Sequence, residues 1–477
     1  MTAPDRPPGP APAGGGEVPA IAAPDTLARA LPGGVRAVID RLAEAGHETV
    51  AVGGGVRDAL LGRPVLGLWD LATRATPDQV IALFPHAVPT GVEHGTVTLP
   101  EPQGAVEVTS YRSDHGYSDA RRPDRVTFGA TLEGDLARRD FTVNALAYDP
   151  RSGVLLDGTG GLDDLRAGRL RAVGEPRARF REDALRALRA ARLAAVLGFT
   201  LESATEAALE DVRDLVPRLS AERVRDELGK TLLAPRPSIG LAVLERAGLL
   251  ELVLPEFWAT RGVTQNRHHR WDVYEHTLRT IDAAPARPRL RWAALAHDLG
   301  KPPTRAVRED GEATFHGHAA AGAAIAERML ERLRLPRAER EAIVLLVHEH
   351  LFDYREEWTD AAVRRFVRRV GLETLPDLYD LRVADAIATG ADPPRVEAIA
   401  ALSARIDDVL SARPPLSVRD LAIDGRDVMD ALAAPPGPVI GRVLDRLLEE
   451  VLDDPAKNER EVLLARAREL AREGGSP

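Results

Sequence analysis

Val52-Gly53-Gly54-Gly55-Val56-Arg57-Asp58 is the stretch that decides how this chain is read. An apolar strand, 49–52, runs into three glycines and then into a helix carrying Arg57 and Asp58. Glycines let a phosphate approach the backbone, and a new helix end presents unpaired N–H groups to it. A second apolar segment, Trp69-Asp70-Leu71-Ala72-Thr73, delivers one acid, and a third, Val106-Glu107-Val108-Thr109, delivers another. Phosphoryl transfer to a hydroxyl needs a divalent metal, and hard Mg²⁺ needs carboxylate oxygens converging on one place. Side chains on a strand alternate with period two, so acids on neighbouring strands can meet on one face.

At 477 residues the chain is long enough for several domains. Apolar residues make up 44 % but aromatics only 4 %, so the cores are expected to be built from Leu, Val and Ala. No cysteine is present, which excludes disulfides, zinc–thiolate sites and cysteine nucleophiles and fits a cytoplasmic location. No window reaches a membrane-spanning length of apolar residues, so no membrane partner is expected. Residues 1–25, rich in Pro, Gly and Ala, read as a disordered tail. The net charge of −10 argues against a protein that coats nucleic acid and leaves room for a local basic groove. Residues 169–192 supply one, with eight arginines against Glu175, Glu182 and Asp183.

In chain order, 26–47 reads as a helix on the spacing of Leu27, Leu31, Val35, Val38, Ile39 and Leu42. Thr76-Pro77 is a helix start, with Thr76 as N-cap and proline at the first helical position. Segments 95–99 and 105–111 read as strands joined by a turn at Pro102-Gln103-Gly104, 112–130 as a loop, and 136–146 as a helix. From 162 onward the pattern is almost continuously helical. The chain is therefore α+β at the front and all-α behind. Arg413-Pro414-Pro415 and Pro435-Pro436-Gly437-Pro438 act as breakers near the end.

Six motifs in order resemble the polymerase-beta-type nucleotidyltransferases of the CCA-adding enzyme and bacterial poly(A) polymerase family. They are the Gly53–Asp58 glycine motif, the strand carrying Asp70, the strand carrying Glu107, Tyr117-Ser118-Asp119-Ala120-Arg121-Arg122-Pro123, Arg138-Arg139-Asp140-Phe141-Thr142-Val143-Asn144-Ala145-Leu146-Ala147, and Phe180-Arg181-Glu182-Asp183-Ala184-Leu185-Arg186. The resemblance spans roughly 30–470. It implies a nucleotidyltransferase head at 26–160, a helical neck with a nucleotide- and RNA-binding motif at 161–255, a third domain at 256–405 and a helical tail at 406–477. It also implies Mg²⁺ held by Asp70 and Glu107 as the catalytic pair, with tRNA, CTP and ATP as partners. No protein partner is evident. Gly54, Arg57, Arg139 and Asp140 would meet the nucleotide, and Arg189 and Arg192 match further contacts. Asp183 and Arg186 would read the base edge: Asp accepts from an exocyclic amine, which cytosine and adenine carry and uracil lacks, while Arg donates to a ring nitrogen. Their spacing of three suggests one shared helix face. Residues 220–228 match a neck helix with a structural role. The chain departs from the family at Leu68, where a first metal-binding aspartate is expected, and no acid in 63–69 replaces it. That loss should weaken the ion site.

Eight of the twelve histidines lie between 268 and 350. Tyr274-Glu275-His276, His297-Asp298-Leu299-Gly300-Lys301, His316-Gly317-His318, His348-Glu349-His350 and Ala384-Asp385-Ala386 resemble an HD domain. Imidazole and carboxylate together suit divalent metals. The resemblance implies His276, His297, Asp298 and Asp385 as a core site, His318 and His350 as second-metal ligands, and phosphoester hydrolysis as the chemistry. The tail resembles one that grips tRNA, and Arg419, Arg426 and Arg442 would serve that contact. Three functions stay open on these residues: addition of CCA, or part of it, to tRNA; an HD phosphohydrolase with a degenerate transferase half that binds RNA; and a poly(A) polymerase.

Overall fold

The structure, a computed structural model, describes residues 18–65, 69–102, 104–115, 125–266, 270–352, 354–355, 357–390 and 394–473. Leu68, Gln103 and the 117–123 motif lie outside the described residues. The chain divides into two compact units, 1–231 with 239–253, and 232–238 with 254–477.

The first unit is built on an eight-stranded sheet in the order β1-β10-β9-β2-β3-β6-β5-β4. Its strands are β1 (Ala20–Ala22), β2 (Thr49–Val52), β3 (Trp69–Thr73), β4 (Val88–Gly91), β5 (Thr96–Leu99), β6 (Val106–Ser110), β9 (Leu146–Asp149) and β10 (Val154–Asp157). A separate antiparallel pair joins β7 (Arg112–His115) to β8 (Arg125–Phe128). Strands β3 and β6 run parallel with Asp70 opposite Glu107, while β2 lies antiparallel on the other side with Val52 opposite Asp70. One sheet face packs Val50, Val52, Ala72, Ala145 and Ala147 against Tyr111, Leu132, Leu136 and Val173. By the period of two, Asp70 shares the face of Ala72, so the acid sits at the edge of this core.

Several expectations are corrected. The helix expected over 26–47 is two helices, α1 (Asp25–Ala30) and α2 (Gly33–Glu44), with extended Pro32 between them as the N-cap of α2. The tail expected through 25 contributes β1, which pairs with β10. The expected loop at 112–130 contains β7 and β8. The start at Thr76 holds: α4 (Pro77–Leu83) opens on a Thr76–Gln79 capping box. The expected helix at 136–146 is instead the end of α5 (Leu132–Ala137), a 3₁₀ turn at Thr142–Asn144 and β9. Here the Asp140 carboxylate accepts from Phe141 N and Asn144 Nδ2, and Thr142 N donates to Arg171 O, so side chains and a distant backbone segment take the bonds a helix would need.

Helices α3 (Gly54–Leu60), α6 (Gly161–Arg166), α7 (Pro176–Glu182), α8 (Leu185–Leu197), α9 (Ser203–Ala207) and α10 (Ala221–Leu232) complete most of this unit, with α11 (Pro237–Arg246) and α12 (Leu250–Val253). The second unit is helical, from α13 (Pro255–Trp258) and α14 (Val273–Ala283) through α15 (Pro288–Ala296), α16 (Lys301–Thr304), α17 (His318–Arg332), α18 (Arg337–Glu349), α19 (Asp360–Val370) and α20 (Leu375–Thr389) to α21 (Pro394–Ser411), α22 (Gly425–Leu432), α23 (Pro438–Asp453) and α24 (Arg460–Glu473). Among the described residues beyond 162, strands appear only as two-residue pairs, Arg169–Leu170 with Thr200–Leu201 and Ala306–Val307 with Ala313–Thr314. The first proline cluster falls between α21 and α22, and the second leads into α23, which starts on its last proline, Pro438. It buries Ile440, Val443, Leu444, Leu447, Leu448, Val451 and Leu452, the stripe of an amphipathic helix. Arg364 donates to Leu452 O and Asp453 O, two carbonyls at the end of α23.

One close approach holds the second unit's histidine helices together. A Cβ on Gly300 would stand 2.0 Å from His318 O and 2.5 Å from Gly322 N, so only glycine lets the turn after Asp298 touch the start of α17. Gly300→Ala is therefore expected to destabilise the second unit by about 1–3 kcal/mol, read by thermal and denaturant unfolding.

Candidate active site and metal centre

In the first unit, Asp70 and Glu107 form part of the lining of a cavity of about 360 Å³ with Arg138, Arg139, Asp183 and Arg186. Gly53 makes the site possible. Its φ of 78° lies in the left-handed region, and a Cβ there would meet Asp70 Oδ2 at 3.1 Å and Arg139 Nη1 at 3.2 Å. Burial pushes the Asp70 carboxyl up to about 6; Arg139 opposes the rise, and neighbouring Glu107 adds to it. Two carboxylates set side by side in a partly desolvated floor fit a divalent cation. Arg139 also donates to Asp135 Oδ2 at 3.2 Å, which aims its guanidinium from the end of α5 toward Asp70.

The wall facing these acids comes from the junction of α7 and α8. Asp183 is extended, with φ −148° and ψ 104°, and ends α7; its Oδ1 accepts from Leu185 N at 3.1 Å. The expectation that Asp183 and Arg186 share one helix face is corrected: they flank a helix start, and Arg186 N donates to Asp183 O. Arg186 donates to Glu182 Oε2 at 2.5 Å, to Arg179 O at 3.0 Å and to Arg138 O at 3.2 Å. Arg189 grips Asp140 Oδ2 with Nε at 2.8 Å and Nη2 at 2.6 Å. Burial alone would raise Asp140, but Arg189 holds it well below the usual carboxylate range. Arg57 donates to Asn144 Oδ1 at 2.6 Å and to its neighbour Asp58, which places it in the wall behind the acids. Gly54 opens α3 beside it, and a Cβ there would lie 3.5 Å from the Arg57 guanidinium. Arg192 pairs with the buried Glu227 of α10 at 3.2 Å.

Arg112, Arg138, Arg223 and Glu227 were not singled out from sequence as site residues. The first three line the cavity, and Glu227 stands behind it. A signal for the last two was present, since Arg223 and Glu227 stand one helical turn apart on a helix of pronounced amphipathicity.

In the second unit the histidines converge. His276 Nε2 lies 3.0 Å from Asp385 Oδ1 and 3.3 Å from His297 Nε2; His297 Nε2 lies 3.1 Å from Asp298 Oδ2. On the other side of the same carboxylate, His318 Nε2 stands 3.5 Å and His350 Nε2 4.0 Å from Asp298 Oδ1. Two triads that can hold a metal, His276-His297-Asp298 and Asp298-His318-His350, thus share Asp298, and all their residues are buried. The backbone prepares three of the rings. The Nδ1 atoms of His297, His318 and His350 each contact the carbonyl three residues earlier, at 2.8, 2.8 and 2.7 Å, which leaves Nε2 aimed inward. His318 Nε2 is buried with no hydrogen-bond partner among the described residues, as a vacant ligand atom would be. Burial, then the neighbouring His297, pushes His350 down to about 3, so it presents a neutral ring. Burial opposes ionisation of Asp298, yet His297 and Lys301 hold it well below the usual range. Lys301 Nζ lies 2.7 Å from Asp298 Oδ2.

Because folded Asp70 holds its proton up to about pH 6 against an ordinary 3.8, the metal-free protein binds more protons than its unfolded chain across that interval. Its stability from this group is full below about pH 4 and falls as pH rises to 6, by on the order of 3 kcal/mol. Asp70→Asn is expected to flatten that slope and to leave the chelator-treated protein about 1–3 kcal/mol more stable than the parent at pH 7, read by unfolding at pH 4, 5, 6 and 7.

Comparison with known proteins agrees with this geometry. Residues 49–171 match the Poly A polymerase head domain, 198–260 the probable RNA and SrmB-binding site of polymerase A, and 268–390 the HD domain. The chain is 32 % identical over 448 residues to a CCA-adding enzyme of Lactiplantibacillus plantarum, covering 91 % of this chain and 95 % of the relative. It is 39 % identical over 418 residues to the A-adding tRNA nucleotidyltransferase of Deinococcus radiodurans, covering 83 % and 90 %. The crystal structure of the Bacillus stearothermophilus CCA-adding enzyme in complex with CTP superposes with a TM-score of 0.69 at 31 % identity, over 92 % of this chain and 98 % of that one. With its carboxylate floor, arginine wall and HD centre, the chain belongs to the tRNA nucleotidyltransferase family that includes the CCA-adding and A-adding enzymes.

Proposed function

We propose that the protein adds C and A, or part of the CCA sequence, to the 3′ end of tRNA from CTP and ATP. The observation that carries this is the pairing, in one cavity, of the Asp70–Glu107 floor with the Asp183–Arg186 wall. Mg²⁺ held by Asp70 and Glu107 would supply activation of the RNA 3′-hydroxyl and neutralise charge on the triphosphate. The protein's own groups do the rest. Asp183 accepts from the exocyclic amine of cytosine or adenine, and Arg186 donates to the ring nitrogen beside it. Arg138, Arg139 and Arg189 favour the polyphosphate electrostatically and draw it from solvent. Among the described residues no helix is long and apolar enough to cross a membrane. A tRNA substrate supports a cytoplasmic location.

The test offers tRNA ending before the first C, after one C and after both, each with labelled CTP or ATP. Where all of CCA is added, tRNA ending before the first C and tRNA ending after one C are expected to take C and tRNA ending after both to take A, and where only part is added one of these nucleotides alone is taken; Asp70→Ala and Glu107→Ala should each lower incorporation at least 100-fold. Incorporation of neither nucleotide by the parent protein overturns the reading.

The second site favours a second reading of its own. We infer that His276, His297, Asp298 and Asp385, with His318 and His350, hold one or two divalent metals, supported by the inward Nε2 atoms and the shared Asp298. Bound metal there would polarise a phosphoester. The cavity of about 500 Å³ beside it, lined by Asp298, Lys301, His318 and Arg382 among others, offers cations for a phosphate. His297→Ala is expected to lower bound metal, measured by elemental analysis after dialysis, and to abolish hydrolysis of a model phosphodiester while leaving nucleotide incorporation within about twofold of the parent.

A further inference from the structure

Four acids line the first-unit cavity: Asp70, Glu107, Asp140 and Asp183. Two of them are already engaged by the protein. Asp140 takes Phe141 N and Asn144 Nδ2 on Oδ1 and Arg189 on Oδ2. Asp183 takes Leu185 N on Oδ1 and Arg223 on Oδ2. Asp70 and Glu107 remain, opposite one another in the parallel register of β3 and β6. Paired residues on neighbouring strands point to one face of a sheet, so the row these acids belong to can be followed across four strands. It runs Val52, Asp70, Glu107, Thr98. Both ends of that row are uncharged: Val52 is a fully buried apolar chain, and the Thr98 hydroxyl bonds Thr90 Oγ1 at 2.8 Å. The next row on the same face, Val50, Ala72, Thr109 and Thr96, is neutral throughout. Among the described residues the floor therefore supplies two carboxylates and no third, and the sequence has no acid at 63–69 to add one.

Charge limits how many cations such a floor can hold. Sites that use two ions for in-line displacement keep them about 3.5–4 Å apart. Two dications repel with four times the energy of two unit charges at the same distance, and carboxylates that reach both ions must offset it. Two carboxylates balance one dication. A second ion would stand uncompensated beside a wall of arginines. Arg139 Nη1 and Asp70 Oδ2 lie 3.2 and 3.1 Å from one point beside Gly53, and Arg138 and Arg186 line the same cavity. The Nε of Arg139 is buried with no hydrogen-bond partner among the described residues, a donor with an acceptor still to find. These guanidiniums suit the other task of a second ion, which is to neutralise the polyphosphate. We propose that Asp70 and Glu107 hold a single divalent ion, limited to one by the number of carboxylates, and that the wall arginines carry the polyphosphate charge in place of a second ion. The proposal rests on the reading of Asp70 and Glu107 as metal ligands.

The experiment counts ions. The full chain, and the same chain carrying Asp70→Ala with Glu107→Ala, are dialysed against Mn²⁺ and a CTP analogue with a methylene between its α- and β-phosphates. Bound manganese is then measured by elemental analysis. The second unit contributes equally to both proteins, so the difference is the number of ions held by the floor. A difference of one is expected. A difference of two overturns the proposal and leaves the reading of the two acids standing. A difference of zero overturns that reading, and the proposal with it. Leu68→Asp, which adds an acid two residues before Asp70, is expected to raise the difference to two. A difference still at one, in a variant that unfolds at the parent's temperature, overturns carboxylate number as the limit. If Leu68→Asp does not fold, the count in the parent decides alone. Arg139→Ala is expected to keep the count at one and to weaken binding of the analogue at least 10-fold in saturating Mn²⁺; unchanged affinity overturns the part given to the arginines.

Discussion

The first unit depends on one ion pair, the buried Asp140 with the partly exposed Arg189. Asp140 is 8 % exposed and fully engaged: Oδ1 accepts from Phe141 N and Asn144 Nδ2, and Oδ2 takes two bonds from Arg189. Asn144 in turn accepts from Arg57 at the glycine-rich helix start. Three elements distant in sequence, α3, the turn before β9 and α8, are thus tied through one carboxylate. Removing Arg189 would strand the Asp140 charge in a desolvated place, a loss that costs about 3–5 kcal/mol where both partners are buried and less here, because Arg189 is partly exposed. The pair's contribution lies less in net stability than in geometry. It sets the height at which α8 presents Arg186 above the sheet that carries Asp70 and Glu107.

The second unit solves a related problem with neutral rings. A metal ligand must have its donor atom bare and its direction fixed before the ion arrives. Here the backbone does both: three imidazoles each spend Nδ1 on the carbonyl three residues earlier, so Nε2 is left to converge on Asp298. That device needs histidine at or near a helix end, where carbonyl groups are available. His297 and His350 stand at such C-terminal ends, and His318 opens a helix behind a left-handed Gly317. Lys301 completes the arrangement by neutralising the shared carboxylate from the side away from the second triad.

Much of this was legible in the sequence because it depends on local chemistry. Glycines at a strand end, proline at a helix start and acids on apolar strand-like runs each have one dominant physical use, and the placement of Asp70 and Glu107 on two strands followed, while their register came from the structure. What stayed hidden depends on partners far away in the chain. The 136–146 segment carries apolar residues at helical spacing, but Asp140 and Asn144 bond one another and Arg171 holds Thr142, and nothing local announces those contacts. The break at Asp183 was invisible for the same reason: a run of good helix formers conceals a residue whose side chain caps the next helix. Arg223 was readable only as a charge on a helix face until the structure put Asp183 opposite it.

Charge explains why the hidden residues are largely arginines. The chain is acidic overall, at −10, yet the cavity has Arg112, Arg138, Arg139, Arg186, Arg189 and Arg223 in its wall. A polyanionic substrate is drawn only if that positive potential is local and focused. But six flexible guanidiniums in one wall would also repel one another and collapse onto the floor carboxylates, leaving neither free. The acids placed behind them resolve this: Asp135 holds Arg138 and Arg139, Asp140 holds Arg189, Glu182 holds Arg186, and Glu227 holds Arg192 at the back. Each backing acid cancels part of the repulsion and fixes a direction, because guanidinium–carboxylate bonds are planar and strongly oriented. Asp183 inverts the scheme, an acid at the front backed by an arginine. It is the point in the wall where the cavity must accept a hydrogen bond from its substrate and cannot simply attract charge.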